Sequence, residues 1–242
     1  MGIGSLFRKR APAQDELTSE EFADEEVLYP GGYWPKTADW EVEQFQKLFP
    51  LYFGNEHLLS QALPMHAEGL SAVPRWELFD STYKGAVEKV ADQLYWRHNK
   101  CRFDDQFDFD RLKQTERTAD AFALIGRQQF SSEILLVPTQ FGRRHRGRSA
   151  RRSGAILAQN EFGLGTFASI MLLMIYPERL KGEDDFGILC LGDEYDADSK
   201  EGFAHVPILR CYDDELNREI YLSQVKPSYA SDLAGSATGF LW

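Results

Sequence analysis

The longest apolar stretch of the chain lies within residues 160–180, where Phe167, Ile170, Met171, Leu172, Leu173, Met174, Ile175 and Tyr176 leave no polar face. A helix that is apolar all round is buried on nearly all sides. The unbroken run is about fifteen residues, bounded by Glu161 before and by Pro177, Glu178 and Arg179 after. Crossing a bilayer takes roughly 20 residues, so the stretch predicts a central core helix at about residues 163–176.

Upstream, the pattern is mostly helical. Thr37 is placed to cap a helix carrying Trp40, Val42, Phe45 and Leu48 that ends at Pro50. A second, short helix is expected over 57–63, closed by Pro64. Over 77–98, Tyr83, Ala86, Val87, Val90, Ala91 and Leu94 recur in three- and four-residue steps, with Glu88, Lys89, Asp92 and Gln93 on the other side. A further helix is expected over 108–126, through Leu112, Ala119, Phe122 and Ala123. After Phe130 the pattern turns to strands. Residues 133–139 suit a strand with Pro138 at its end or edge, and 186–191 a buried strand. Residues 203–212 and 219–225 suit an antiparallel hairpin with a loop longer than the tight two-residue kind. The C-terminal SDLAGSATGFLW reads as small and flexible until Phe240-Leu241-Trp242.

This order predicts an α+β fold: a mostly helical first half, then a short-stranded antiparallel or mixed sheet packed on the buried central helix. Residues 1–27 hold seven acids against three bases and few large apolar groups, which predicts a flexible acidic tail. Residues 28–242 are expected to form a single domain. The Pro-, Gly- and aromatic-rich segment 29–40 should be an ordered loop whose rings cover a neighbouring surface.

Composition narrows the function classes. The formal charge is −11, which argues against an all-over nucleic-acid or membrane binder. Cys101, Cys190 and Cys211 are odd in number and show no C-x-x-C spacing, so a reducing, cytoplasmic setting fits. The N-terminal apolar run, Ile3 to Phe7, precedes Arg8-Lys9-Arg10. A secretory signal has the opposite order and a longer run, and no stable membrane anchor is expected.

Most chemical motifs fail on spacing. Gly163-Leu164-Gly165-Thr166-Phe167-Ala168 has the G-x-G-x-x-A form of a dinucleotide turn, but Gln159 to Phe162 do not read as the strand that such a turn requires. Glu77 and Asp80 stand three apart with Phe79 between them. That spacing excludes the magnesium-binding Glu and Gly-Asp pair of the ribonuclease III domains that this stretch superficially resembles. Asp193 to Asp198 place Lys200 and Gly202 wrongly for a calcium loop and read as a solvated loop. No cofactor, metal site or catalytic set is expected.

One surface feature stands out. Arg143, Arg144, Arg146, Arg148, Arg151 and Arg152, with His145, put six arginines within ten residues of an acidic protein. The planar fork of arginine suits phosphate and carboxylate. The leading expectation is a non-enzymatic binding or assembly module that uses these seven residues to contact an anionic partner: an acidic protein face, nucleic acid or a phosphorylated ligand. An alternative is a nucleic-acid-processing or phosphoryl-ligand enzyme with a carboxylate site near the loop, built from acids such as Glu77, Asp80 and Asp104. Against both stands an intramolecular clamp, in which the arginines pair with the protein's own carboxylates.

Overall fold

A computed structural model of the chain describes residues 29, 33–50, 58, 60–98, 101–104, 107–182, 185–197, 204–214 and 217–242. The acidic tail expected over 1–27 lies outside them, as does part of the short helix expected over 57–63. Helix α1 (Ala38–Leu48) starts where the Thr37 hydroxyl accepts the Trp40 N–H at 3.4 Å. Helix α2 (Tyr83–His98) buries Ala86, Val87, Val90, Ala91 and Leu94, the apolar stripe read from the sequence. It starts later than expected because Asp80 and Thr82 cap it. Asp80 Oδ1 accepts the Thr82 N–H at 3.0 Å, and Thr82 Oγ1 the Gly85 N–H at 3.2 Å.

The helix expected over 108–126 is broken in two. A single turn at Phe109–Arg111 leads into strand β3 (Leu112–Gln114), and only then does α3 (Glu116–Gln128) begin. Thr115 caps it, its side chain accepting from Thr118 N. Helix α4 (Ala150–Ile156) is short, and α5 (Thr166–Ile175) buries all ten of its residues. The core helix therefore lies where the apolar run placed it. Helix α5 packs on α2 and on strand β1 (Gly69–Pro74).

The fold is α+β, with a mixed eight-stranded sheet. Its further strands are β2 (Cys101–Phe103), β4 (Ile134–Phe141), β5 (Glu161–Gly163), β6 (Gly187–Leu189), β8 (Val206–Asp214), β9 (Asn217–Val225) and β10 (Ala234–Phe240). The order is β1-β4-β10-β6-β8-β9-β2, with β5 also on β10. Strand β7 (Asp193–Tyr195) pairs apart from it with β3. The helical first half thus also supplies β1, β2 and β3. Strand β4 runs through Pro138 to Phe141 rather than ending there. Pro138 lies opposite Leu70 of β1 and outside Thr139–Phe141, the part that β10 pairs, so it is not asked to serve two ladders. The hairpin ladder continues to Asp214 and Asn217, leaving two residues between the paired ends, fewer than expected.

The largest correction is the C-terminal segment. Instead of a flexible tail, Ala234–Phe240 is a wholly buried strand near the middle of the sheet. One edge pairs antiparallel with β4; the other pairs first with β6, in parallel, and then with β5. Its small residues permit that crowding. A Cβ on Gly235 would stand 2.2 Å from the Gly142 carbonyl oxygen, and one on Gly239 2.6 Å from the Phe162 ring.

Of the aromatic segment 29–40, residues 30–32 lie outside the described residues, 38–40 belong to α1 and Trp34 is exposed, while Tyr29 and Tyr33 are buried. Tyr29 stacks on Phe186 and meets Tyr33 edge-on, and Tyr33 meets Tyr176. Beneath it, two charged residues are buried, Glu41 and the Arg179 that bounds the apolar run. Arg179 donates to Phe141 O at 3.1 and 2.9 Å and to Phe186 O at 2.8 Å, and lies 4.1 Å from the centre of the Phe186 ring. Glu41 accepts from Ala72 N at 2.8 Å and from the Tyr176 hydroxyl at 2.5 Å, joining α1 to β1 and to the end of α5.

Because backbone blocks the Cβ direction at Gly235, Gly235→Ala is expected to destabilise the fold by about 2 kcal/mol or more. At Gly182 a Cβ meets nothing within 4 Å, so Gly182→Ala should stay within about 0.5 kcal/mol of wild type. Urea unfolding of the two variants checks both; equal midpoints would show that β10 is not packed this tightly.

Candidate functional site

The arginine segment follows β4 through Gly142, whose φ of 110° suits glycine, into a single turn at Arg143–His145 and then α4. Its six arginines are half-buried and His145 is fully buried. Arg143 Nε pairs with Glu68 Oε1 at 3.0 Å. Arg144 Nε and His145 Nε2 share Glu161 Oε1, at 3.3 and 2.9 Å. Arg146 Nε donates to Asp232 O at 2.6 Å and its guanidinium lies over Phe186, while Arg148 Nη1 donates to Arg144 O at 2.5 Å. Arg151 and Arg152 sit in the first turn of α4; their backbone N–H groups bond Pro227 O and Ser149 Oγ.

Glu161 is the hub. Besides Arg144 and His145 it accepts the Thr238 hydroxyl at 2.7 Å and the Ala158 N–H at 3.0 Å. Gln140 extends the network, donating to Thr238 Oγ1 and Ser236 O and accepting from Gly142 N and Arg144 N. Burial alone would raise the Glu161 carboxyl, but His145, Ala158 N–H and Thr238 overcome it and hold the group at about 2. Burial pushes His145 down from its ordinary value. The pairing is therefore an ionised Glu161 with Arg144 as counter-charge and a neutral imidazole donating from Nε2.

The glycine-rich turn corrects the sequence reading in one respect. A strand, β5, does run straight into Gly163, and α5 opens at Thr166. A helix N-terminus preceded by glycines favours an anion, and here the protein supplies its own. Asp193 Oδ2 accepts the Thr166 N–H at 2.6 Å, and both Asp193 oxygens accept the Tyr83 hydroxyl, at 2.8 and 3.0 Å. A Cβ on Gly165 would stand 2.5 Å from Asp193 Oδ1. The place of a pyrophosphate is filled. Asp193 is accordingly no member of a solvated loop but a buried residue of β7, and burial pushes its carboxyl up to about 6.

Beside this helix end lies a cleft of about 240 Å³. Its floor is buried and apolar, from Val73 and Leu135 on the sheet, Ala168 on α5 and Gly165 just before it. Trp76, Phe122 and Phe167 give it aromatic walls, and exposed Ala123 and Glu77 stand at its mouth. Four polar side chains reach it: Gln114, Glu77, Tyr83 and Arg75. Tyr83 is given to Asp193, and Arg75 donates from Nε to Ser132 O and from Nη2 to Gly126 O and Gln129 O, closing the C-terminal end of α3. Of the acids singled out in the sequence, Glu77 alone borders the cleft; Asp80 pairs with Lys89 at 2.7 Å. The sequence marked Ala119, Phe122 and Ala123 only as a helix stripe. Their spacing at i, i+3 and i+4 was the available signal, and it does not separate a core face from a cleft wall.

Among the described residues no group of three or more His, Cys, Asp or Glu side chains is placed to hold a metal ion, and no helix is long and apolar enough to cross a membrane. The chain matches no protein-family model, and neither the curated proteins nor the solved structures give a match to it.

Removing the hub charge by Glu161→Gln should cost about 3 kcal/mol or more, because Arg144 is left half-buried without its partner. Glu161 is held below its ordinary 4.5, so its contribution is complete above that pH and is lost as pH falls toward about 2. Urea midpoints between pH 5 and 2.5 should therefore drop more for wild type than for the variant; parallel curves would contradict the assignment.

Proposed function

We propose that this protein is a non-enzymatic binding module whose cleft holds one small, ring-bearing, mostly apolar ligand. The observation that carries the reading is how the space arises. Both helices that border it present alanines, whose side chains stop at Cβ: Ala119 and Ala123 on α3 and Ala168 on α5. Rings stand on the remaining sides. An apolar cavity of about 150 Å³ accepts a benzene, so a cleft of about 240 Å³ has room for a ring with a short substituent. Concave, largely apolar sites with few polar groups are the usual form of a small-molecule site.

Catalysis is the weaker reading. An acid–base site needs titratable groups that converge with protons free to move. Tyr83 is given to Asp193, and Arg75 is a permanent cation that moves no proton, which leaves Glu77 at an exposed rim. The arginine segment enters this reading as a clamp rather than as an anion-binding loop. What supports the clamp is the pairing of Arg143 with Glu68 and of Arg144 and His145 with Glu161, and the Arg146 bond to Asp232 O. Free Cys190 and Cys211 support a reducing, cytoplasmic setting.

Ala123→Phe places a ring at an exposed helix position, so it should fold normally and close the cleft. Binding of single-ring probes such as toluene, followed by tryptophan fluorescence with Trp76→Phe as the control for signal origin, is expected in wild type and lost in Ala123→Phe. Unchanged binding in that variant would overturn the cleft as the site. Changing Arg143, Arg144, Arg146 and Arg148 together to Gln tests the clamp: stability should fall by several kcal/mol as Glu161 and Glu68 lose partners. A stable quadruple variant that has lost the wild type's affinity for an oligonucleotide would instead restore the anion-binding reading.

A further inference from the structure

The cleft proposed above as the binding site is bordered by a cation with hydrogen-bonding capacity to spare. Arg75 leaves the end of β1, and main-chain carbonyls fix its guanidinium. Nε donates to Ser132 O at 2.8 Å, and Nη2 to Gly126 O at 2.7 Å and Gln129 O at 2.9 Å. A guanidinium has five N–H donors. These bonds use those on Nε and Nη2 and leave the pair on Nη1. Among the described residues Arg75 takes part in no ion pair. It therefore contributes a half-buried positive charge, always protonated, that no carboxylate of the described chain answers.

The position of Nη1 is fixed by Gly126. A Cβ there would stand 2.6 Å from Nη1, so the unspent donors lie against α3 at that residue. Gly126 follows Ala119, Phe122 and Ala123 at helical spacing, on the face of α3 that borders the cleft. Arg75 itself lines the space that Trp76 and Phe122 wall, and its Nη1 pair is the part of the guanidinium that no main-chain carbonyl takes. Three carbonyl bonds hold the group in place, so a bound anion would not have to order it.

Resting on the cleft reading, we propose that the ligand is a small aromatic monoanion: a single ring bearing a carboxylate on a short arm. The ring lies between Trp76 and Phe122, and the carboxylate oxygens accept from Nη1 of Arg75. Charge-assisted bonds of this kind are roughly twice as strong as neutral ones. The net charge of −11 does not oppose this at contact range, because exposed charges are screened beyond about 10 Å at ordinary salt. Glu77 is the one acid bordering the cleft, and it is exposed at the mouth.

The test uses three matched probes on the full chain, followed by tryptophan fluorescence: phenylacetate, its neutral amide phenylacetamide, and the cation phenethylamine. Wild type should bind phenylacetate about tenfold or more tightly than the amide, the worth of one charge-assisted hydrogen bond, and phenethylamine most weakly. Arg75→Lys keeps the charge but not the fork; it should reduce the preference for the acid while still binding the amide. Ala123→Phe should lose both. Equal affinity for acid and amide, or preference for the cation, overturns the anion proposal and leaves the cleft standing. Failure of all three probes, or binding unaffected by Ala123→Phe, overturns the cleft reading and this proposal with it. The wild-type comparison decides the matter even where Arg75→Lys unfolds through loss of its carbonyl bonds.

Discussion

Among the described glycines the tightest setting is backbone against backbone, between Gly142 just after β4 and Gly235 in β10, where a single Cβ would meet a carbonyl oxygen at 2.2 Å. Much of the rest follows from that contact. Among the described residues, β10 is the only strand that pairs with three others, β4, β5 and β6, and it can lie between them because most of its side chains are small. The arginine segment begins at the same glycine. Gly147 N bonds Ala234 O, and Thr238 of β10 reaches Glu161, so the clamp and the central strand fold onto each other. Arg179 fills the neighbouring space, with Nη2 3.2 Å from the Cβ that Gly142 lacks. Main-chain carbonyls and aromatic faces surround it rather than carboxylates.

Buried charge does the cross-linking elsewhere. Glu41 ties α1 to β1 and Tyr176, Glu161 ties the arginine segment to β10, and Asp193 ties β7 to α2 and to the start of α5. Each accepts several hydrogen bonds, which is the condition under which a buried carboxylate is tolerated. The environments differ in sign. Glu41 and Asp193 have burial as the dominant effect and are pushed up to about 7 and about 6, whereas Glu161, beside His145 and Arg144, is held at about 2. Folding therefore gains from the Glu161 charge above its ordinary value of 4.5 and loses from ionising Glu41 as pH rises from 4.5 toward 7. The two groups therefore bend stability in opposite directions with pH.

How much of this was legible depended on whether local pattern or distant partner decided each residue. The buried helix, the α2 stripe, the Thr37 cap and the hairpin were readable because periodicity and capping are local. Strand β10 was not: Ala-Gly-Ser-Ala-Thr-Gly has the composition of a flexible linker, and only the proximity of Gly142 and Phe162 makes it a strand interior. Strand β1 hid for the same reason, its Gly69-Leu-Ser-Ala-Val-Pro lacking alternation because all six residues are buried. Glu161, Asp193 and Arg179 read as rim charges because their partners lie far away in sequence. The arginine segment was visible as a cluster, but which acids answer it was not. The cleft was invisible, since small residues on a helix look the same whether they permit close packing or leave a gap.

That gap has an energetic meaning. Space left in a core costs about 24 cal/mol per Å³, so a cleft of about 240 Å³ would forgo up to about 6 kcal/mol against a filled one. The figure is an upper limit, because water enters from the open side past Ala123 and Glu77. Domains are stable by only about 5–15 kcal/mol in total, so a space of this size is large on the scale of the fold. Longer side chains at Ala119 or Ala123 would recover part of it, on a helix whose ends are fixed by Thr115 and by Arg75 and which therefore has no need of the gap for its own formation. The walls cannot close by sliding either: Thr118 Oγ1 donates to Gly163 O at 2.8 Å, setting the distance from α3 to the strand that leads into α5, and Asp193 fixes the start of α5 itself. An apolar space that is held open by polar bonds around it, rather than filled, is a space in which burying a ring regains what the empty fold gives up.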